Sequence, residues 1–187
     1  MALKAQTTFE KHFILNAEMD EFGKDVVQTA DDGYIITGKS YNQEEVQPFL
    51  LKTDQAGDSL WYKALDVDMW EEQPFKVQEL PNGDLLCGPS SGYFFISGNS
   101  NFYLMRTDSA GNTLWEKNFD TEFSDQGMDF IINSSGDAVL IGYAVNQNEQ
   151  IDISLLVAEL NGSEKDRFVY PHEKKLIPFK ILELASG

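Results

Sequence analysis

Cysteine, histidine and long apolar runs are scarce in this chain of 187 residues, and each scarcity excludes a class of protein or site. Cys87 is the only cysteine, so an intrachain disulfide and a zinc site built from several cysteines are excluded. No run of 18 apolar residues occurs, so the sequence predicts no transmembrane segment. His12 and His172 are the only histidines, and in these terminal segments we expect ordinary roles rather than catalysis.

Basic residues are few as well, since 14 Lys and Arg stand against 31 Asp and Glu, for a net charge of -17. Such a surface repels phosphate backbones and anionic lipids, so we expect no nucleic-acid partner and no membrane-surface partner. The hydrophobic fraction of 42%, with 12% aromatic residues, is enough for a folded core.

A repeat is the strongest pattern that is present. Residues 49–65 read FLLKTDQAGDSLWYKAL, and residues 102–119 read FYLMRTDSAGNTLWEKNF, with matching positions 54 residues apart. Alternating apolar residues on both sides of each Asp-x-Ala-Gly break predict two strands joined by a turn. In this turn Asp caps main-chain amides, Gly supplies a positive φ, and Trp packs its ring between units. The predicted structural turn residues are Asp54, Gly57, Trp61, Asp108, Gly111 and Trp115.

The repeat extends over nearly the whole chain, with turn glycines Gly33, Gly83, Gly136 and Gly187 at intervals of 50 to 53 residues. Four short strands per unit are typical of propeller blades, whereas a β-sandwich gives no reason for the same set of strands to recur. The sequence therefore predicts an all-β, β-propeller fold with about three complete four-stranded antiparallel blades, partial first and last blades, and an incomplete ring. The predicted parts are the last strand of a split blade at 8–13, blades at 24–65, 74–119 and 127–171, and a first strand of a further blade at 176–187.

Two details of these units are specific expectations. In the second blade we expect a lengthened second strand that includes residues 93–97, after the interruption at Pro89. In the third blade Phe168 is expected at the place that Trp61 and Trp115 occupy in the other two.

The motif Thr-Asp-x-Ala-Gly-x-x-Leu-Trp is similar to the turn motif of PQQ-like propellers and, more loosely, to the Asp-box of sialidase propellers. The whole pattern resembles secreted propeller-repeat proteins common in Bacteroidetes, and Ala2 to Gln6 resembles the cleavage end of a signal peptide. The resemblance implies an extracellular or cell-surface protein whose signal peptide is missing from this chain. The Asp-to-Trp spacing is tighter than in the PQQ-like motif, so no cofactor is expected.

One tetrapeptide, Gly57-Asp58-Ser59-Leu60, spells the GDSL signature of a lipase family with a serine nucleophile. Gly111-Asn112-Thr113-Leu114 stands at the same place in the next unit, and no Asp-x-x-His follows to supply a base. We therefore interpret the tetrapeptide as a turn-to-strand junction. Cys87, beside Leu85 and Leu86, is expected to be a buried inert thiol.

Acidic residues gather in the connections that would share one rim of a propeller, namely 14–23, 41–48, 66–73, 97–101, 120–127 and 146–152. Together these hold fourteen Asp or Glu and no Lys or Arg. We interpret this acidic face as a binding surface for a protein or a glycan, or for calcium, although acidic rims also keep proteins soluble. The candidate ligand-binding residues are Asp66, Asp68, Trp70, Glu71, Glu72, Asp120, Glu122 and Asp125.

The predicted function is thus a non-enzymatic binding module. Two alternatives remain open: a fragment of a propeller hydrolase or lyase whose catalytic residues lie in missing blades, and a purely structural module. Open sheet edges could also lead to self-association.

Overall fold

The computed structural model describes residues 10–15, 17–42, 46–65, 75–91, 101–119, 125–148, 150–172 and 176–184. These contain twelve strands: β1 (Asp20–Gln28), β2 (Tyr34–Tyr41), β3 (Val46–Thr53), β4 (Ser59–Ala64), β5 (Phe75–Glu79), β6 (Leu85–Ser91), β7 (Asn101–Thr107), β8 (Thr113–Phe119), β9 (Asp125–Ile132), β10 (Ala138–Val145), β11 (Ile151–Ala158) and β12 (Glu164–Tyr170). Within these ranges no helix is long and apolar enough to cross a membrane, in agreement with the expected lack of a transmembrane segment.

The strands form three four-stranded sheets, each made from consecutive strands in chain order. Sheet 1 contains β1 to β4, sheet 2 contains β5 to β8, and sheet 3 contains β9 to β12, and every pairing is antiparallel. The all-β class and the recurring set of four antiparallel strands are therefore confirmed.

Two apolar layers hold the sheets together, and sheet 2 lies between them. Leu85 and Cys87 belong to the layer shared with sheet 1, whereas Leu86 belongs to the layer shared with sheet 3. On β7, Met105 and Leu104 divide between the two layers in the same way. Successive side chains of a strand point to opposite faces, so a sheet covered on both sides needs apolar residues at consecutive positions. Sheet 2 has them.

Polar contacts supplement these layers at the first strand of each sheet. Between sheets 1 and 2, the Val77 amide donates to Asp25 Oδ2 at 3.1 Å. Between sheets 2 and 3, Lys76 Nζ donates to Asp129 Oδ1 at 2.7 Å and to the Phe130 carbonyl at 2.7 Å. First strands thus contact the neighbouring sheet directly.

The register corrects one expectation about sheet 3. Trp61 lies opposite Lys52 and Trp115 lies opposite Arg106, but the equivalent position on β12 is Asp166, opposite Val157. The prediction for Phe168 was therefore wrong by two residues. Trp61 and Trp115 each follow their turn glycine by four positions, and the residue four positions after the turn glycine Gly162 is Asp166. The expected strand at 93–97 lies outside the described residues. Residues 10–15 and 176–184 are not paired into a sheet with any described strand.

Candidate functional site

The Asp-Gly turns between third and fourth strands use their carboxylates within the turn. Asp54 Oδ1 accepts hydrogen bonds from the amides of Ala56 at 2.8 Å and Asp58 at 2.9 Å. Asp108 accepts the matching pair from the amides two and four residues on, at 2.9 and 2.8 Å. The side chain of Asn112 is the main cause that lowers the pKa of Asp108. These contacts give both carboxylates a structural task.

The tryptophans of the same motif contact the turn of the next sheet. A Cβ built on Gly111 would lie 3.0 Å from the Trp61 ring, and one on Gly162 would lie 3.3 Å from the Trp115 ring. Both glycines have positive φ, 78° and 87°. Each half-buried indole therefore rests on a glycine of its neighbour, and the motif connects adjacent sheets.

Cations near these turns are paired. Lys52 Nζ lies 2.7 Å from Asp31 Oδ1 and 2.7 Å from Thr29 Oγ1. This hydrogen bond from Lys52 is the main cause that lowers the pKa of Asp31 to about 2. Lys52 is thus a buried structural cation rather than a group available to a substrate.

Sheet 2 repeats this arrangement with a guanidinium. Arg106 donates to Asp84 Oδ2 through Nη2 at 2.6 Å and through Nε at 2.9 Å, and its Nη1 reaches the Leu160 carbonyl of sheet 3 at 2.9 Å. In sheet 3 the paired cation is instead Lys165 on β12, whose Nζ lies 2.7 Å from Asp137 Oδ2. At this end of the sheets the charged residues therefore serve the fold.

At the opposite end the strands meet the connections whose sequence is rich in Asp and Glu. Because consecutive strands are antiparallel, the second and fourth strands of each sheet end at the same side where the first and third strands begin. The connections from second to third strands and from one sheet to the next therefore share this end. We call this end the acidic end. Seven of the candidate ligand-binding residues lie outside the described residues: Asp66, Asp68, Trp70, Glu71, Glu72, Asp120 and Glu122.

The eighth candidate, Asp125, lies among the described residues and is buried. Its side chain is 0% exposed, and its Oδ2 accepts a hydrogen bond from Arg167 Nη1 at 3.0 Å. Arg167 also donates to the Phe119 carbonyl at 3.2 Å and lies 5.7 Å from the centre of the Phe102 ring. Asp125 therefore pairs, within sheet 3, with an arginine 42 positions away that also contacts sheet 2.

A surface hollow of about 480 Å³ opens at the acidic end of sheet 1. It lies where β1 starts and β2 finishes, within the connections that the charge pattern had selected. The hollow has the size of a small-ligand site and combines carboxylate, amide and phenol groups. Its lining residues are Ala17, Glu18, Met19, Asp20, Tyr41 and Asn42.

An aromatic pair stands beside this hollow. Asp20 lies opposite Tyr41, and Phe22 lies opposite Lys39, so these four side chains share one face of the β1–β2 ladder. The rings of Phe22 and Tyr41 are 5.3 Å apart at an angle of 32°, and Lys39 Nζ is 5.9 Å from the centre of the Tyr41 ring. Phe22 remains 47% exposed, so part of its ring is open to a ligand.

No protein-family model matches the chain, and no curated protein matches it significantly.

The GDSL tetrapeptide and Cys87, the other sequence features considered for chemistry, have structural explanations. Ser59 lies opposite Thr53 where β4 begins, and Asp58 pairs with Lys11 at 2.6 Å, so the GDSL tetrapeptide lies in a turn-to-strand junction. Burial raises the pKa of the Cys87 thiol, which is fully enclosed between sheets 1 and 2. In the part of the chain that the structure describes, no group of three His, Cys, Asp or Glu could hold a metal ion.

The sequence had selected the connections of the hollow but missed its aromatic pair. Phe22 and Tyr41 are 19 positions apart, and only the pairing of β1 with β2 brings them together. The signal that could have found them was two aromatic residues on either side of one turn, 10 positions before Asp32 and 8 positions after Gly33, which places them diagonally across the ladder.

Proposed function

We propose that the three sheets are blades of a β-propeller and that the chain is a non-enzymatic, secreted or cell-surface module that binds a glycan at its acidic end. The propeller is supported by sheets built from consecutive strands and by first strands that contact the neighbouring sheet. The extracellular location is supported by the resemblance of Ala2 to Gln6 to a signal-peptide cleavage end.

The observation that carries the glycan proposal is the hollow beside Phe22. A sugar ring presents C–H groups of slight positive charge, which pack well on the negative face of an aromatic ring. Its hydroxyl groups need both donors and acceptors, and Asp20, Tyr41 and Asn42 offer these on the same surface. A volume of about 480 Å³ accommodates one or two sugar units.

A cationic protein segment is the second candidate partner, because the acidic end would attract it. It is less well supported at the hollow, since Lys39 already lies 5.9 Å from the centre of the Tyr41 ring and places a positive charge there. A glycan without charge meets no such repulsion.

The test is a glycan array followed by titration calorimetry with the strongest glycan. Phe22→Ala should weaken binding at least about fivefold, since a stacked ring contributes on the order of 1–3 kcal/mol. Asp20→Asn should weaken it less. Phe168→Ala is the matched control, because Phe168 is 46% exposed, against 47% for Phe22, but lies on sheet 3.

Three results would count against the proposal. The array could show no binding while a Lys-rich peptide binds, which would favour a protein partner. Phe22→Ala and Phe168→Ala could weaken binding equally, which would place the site elsewhere. Cleavage of the bound glycan would contradict the non-enzymatic role.

A further inference from the structure

One face of sheet 3 carries an apolar surface that is only half covered. Along β11, and along β10 as far as Gly142, buried residues alternate with partly exposed ones, so the partly exposed set points away from sheet 2. Cross-strand pairs bring this set into rows, with Val139 opposite Val157 and Leu155 opposite Phe168. We call it the outer face, and its apolar residues are Ile131, Val139, Ile141, Ile153, Leu155, Val157 and Phe168.

The equivalent face is buried in the other two sheets. Leu50, Leu104 and Leu155 occupy the same position on the third strand of their sheets. Each lies two residues before the residue that pairs with Trp61, Trp115 or Asp166 on the fourth strand. Leu50 is buried in the layer with sheet 2, and Leu104 is buried in the layer with sheet 3. Leu155 is only half-buried. Each earlier sheet thus has a following sheet on this face, and in sheet 3 the same face is incompletely covered.

Residues 176–184 lie against sheet 3 as β5 lies against sheet 1. The Ile181 amide donates to Asp129 Oδ2 at 2.9 Å, and the Val77 amide donates to Asp25 Oδ2 at 3.1 Å. In both contacts the donor follows the acceptor by 52 residues. Asp129 and Asp25 also occupy equivalent positions in β9 and β1. Each lies four residues before the residue, Asn133 or Thr29, whose amide donates the hydrogen bond that closes the first hairpin turn of its sheet.

A second pair of contacts repeats this relation. Glu183 Oε2 accepts from the Ser134 amide at 2.8 Å, and Glu79 Oε2 accepts from the Ala30 amide at 2.6 Å. Here the two residues are 49 positions apart in both cases. Residues 178–184 therefore have the contacts of a first strand, yet they form no ladder with any described residue. Phe179 and Leu182 remain exposed.

We propose that the outer face binds an antiparallel β-hairpin of the repeat's own type, whose first strand pairs with the backbone edge of residues 178–184. In sheet 2 the second and third strands supply Cys87 and Met105, which cover Leu50 of sheet 1. A hairpin on the outer face covers Leu155 and Phe168 in the same way. Main-chain hydrogen bonds supply affinity, and alternating apolar side chains supply register. The inference rests on the blade arrangement of the proposed function but not on its glycan site.

The probe is a synthetic peptide of residues 32–54, which contains β2 and β3. It is titrated into the full chain and followed by hydrogen exchange and by tryptophan fluorescence. We expect saturable binding and new amide protection at residues 178–184. A control peptide with Ile36→Asp and Leu51→Asp, on the side that would face sheet 3, should lose binding at least about tenfold.

Two protein variants locate the contact. Phe168→Asp changes a residue that is already 46% exposed, so folding should survive, and it should weaken peptide binding at least about tenfold. Phe22→Ala should leave peptide binding unchanged while it reduces glycan binding. The inference is overturned if the peptide does not bind, if Phe168→Asp binds it as tightly as the unchanged chain, or if protection appears outside residues 176–184 and sheet 3.

Discussion

The contact between Trp61 and Gly111 allows a quantitative test of how adjacent sheets are joined. Gly111 and Gly136 have similar positive φ angles, 78° and 83°. Replacing either with alanine carries the penalty of a left-handed conformation, about 1–2 kcal/mol. A Cβ at Gly136 meets no atom within 4 Å, whereas one at Gly111 lies 3.0 Å from the Trp61 ring and 3.0 Å from Lys63 Cγ.

The difference between the two variants therefore measures the intersheet contact. A carbon contact at 3.0 Å is several tenths of an ångström too short, so the indole must move. Overpacking of this kind costs about 1–3 kcal/mol, and the half-buried ring can yield in part. We expect Gly111→Ala to lower the free energy of unfolding by about 1–2 kcal/mol more than Gly136→Ala does.

Urea unfolding followed by far-UV circular dichroism gives both free energies, provided the slopes agree. The same comparison in a Trp61→Leu background completes a double-mutant cycle, and there the excess should fall to within about 0.5 kcal/mol of zero. Equal midpoints for Gly111→Ala and Gly136→Ala in the unchanged background would refute the reasoning. So would an excess that survives the loss of the indole.

Three further predictions follow from burial and charge. The folded pKa of Asp31, about 2, lies below its ordinary 3.8, so the Lys52 pair stabilises the fold above pH 4 and this stabilisation is lost as the pH falls toward 2. Asp31→Asn should reduce the change in unfolding free energy over this pH range by up to about 1 kcal/mol. An unchanged pH dependence of the unfolding free energy would contradict it. Leu104→Ala should cost about 2–5 kcal/mol in urea unfolding, whereas Leu60→Ala, at an exposed site, should stay within about 0.5 kcal/mol, and equal costs would contradict the layer between sheets 2 and 3. Cys87 should react with a thiol reagent at full rate only in denaturant, and rapid reaction in buffer would show that the thiol is accessible.

Local features of the fold could be predicted from the sequence. The two strands predicted on either side of the turn at Asp54 are present as β3 and β4, and that turn follows from residues within five positions of it. β1 was expected from residue 24 but begins at Asp20, because the irregularity between Gly23 and Asp25 interrupts the alternation without ending the strand.

Features that depend on distant residues could not be predicted in this way. Asp125 reads as a loop carboxylate until Arg167 is brought beside it, 42 positions on. The hollow at Tyr41 likewise exists only because the register places Asp20 opposite it. The acidic end itself follows from strand order and from the charge pattern of the connections, both of which can be read along the chain.

The contacts between first strands also bear on how such a chain grows by duplication. Equivalent positions in successive first strands carry Asp25, Lys76 and Asp129, and Lys180 follows at the same place in the repeat. Lys76 pairs with Asp129, so opposite charges meet at that junction. Insertion of a single unit would place two like charges side by side, which is unfavourable, whereas insertion of two units preserves the alternation.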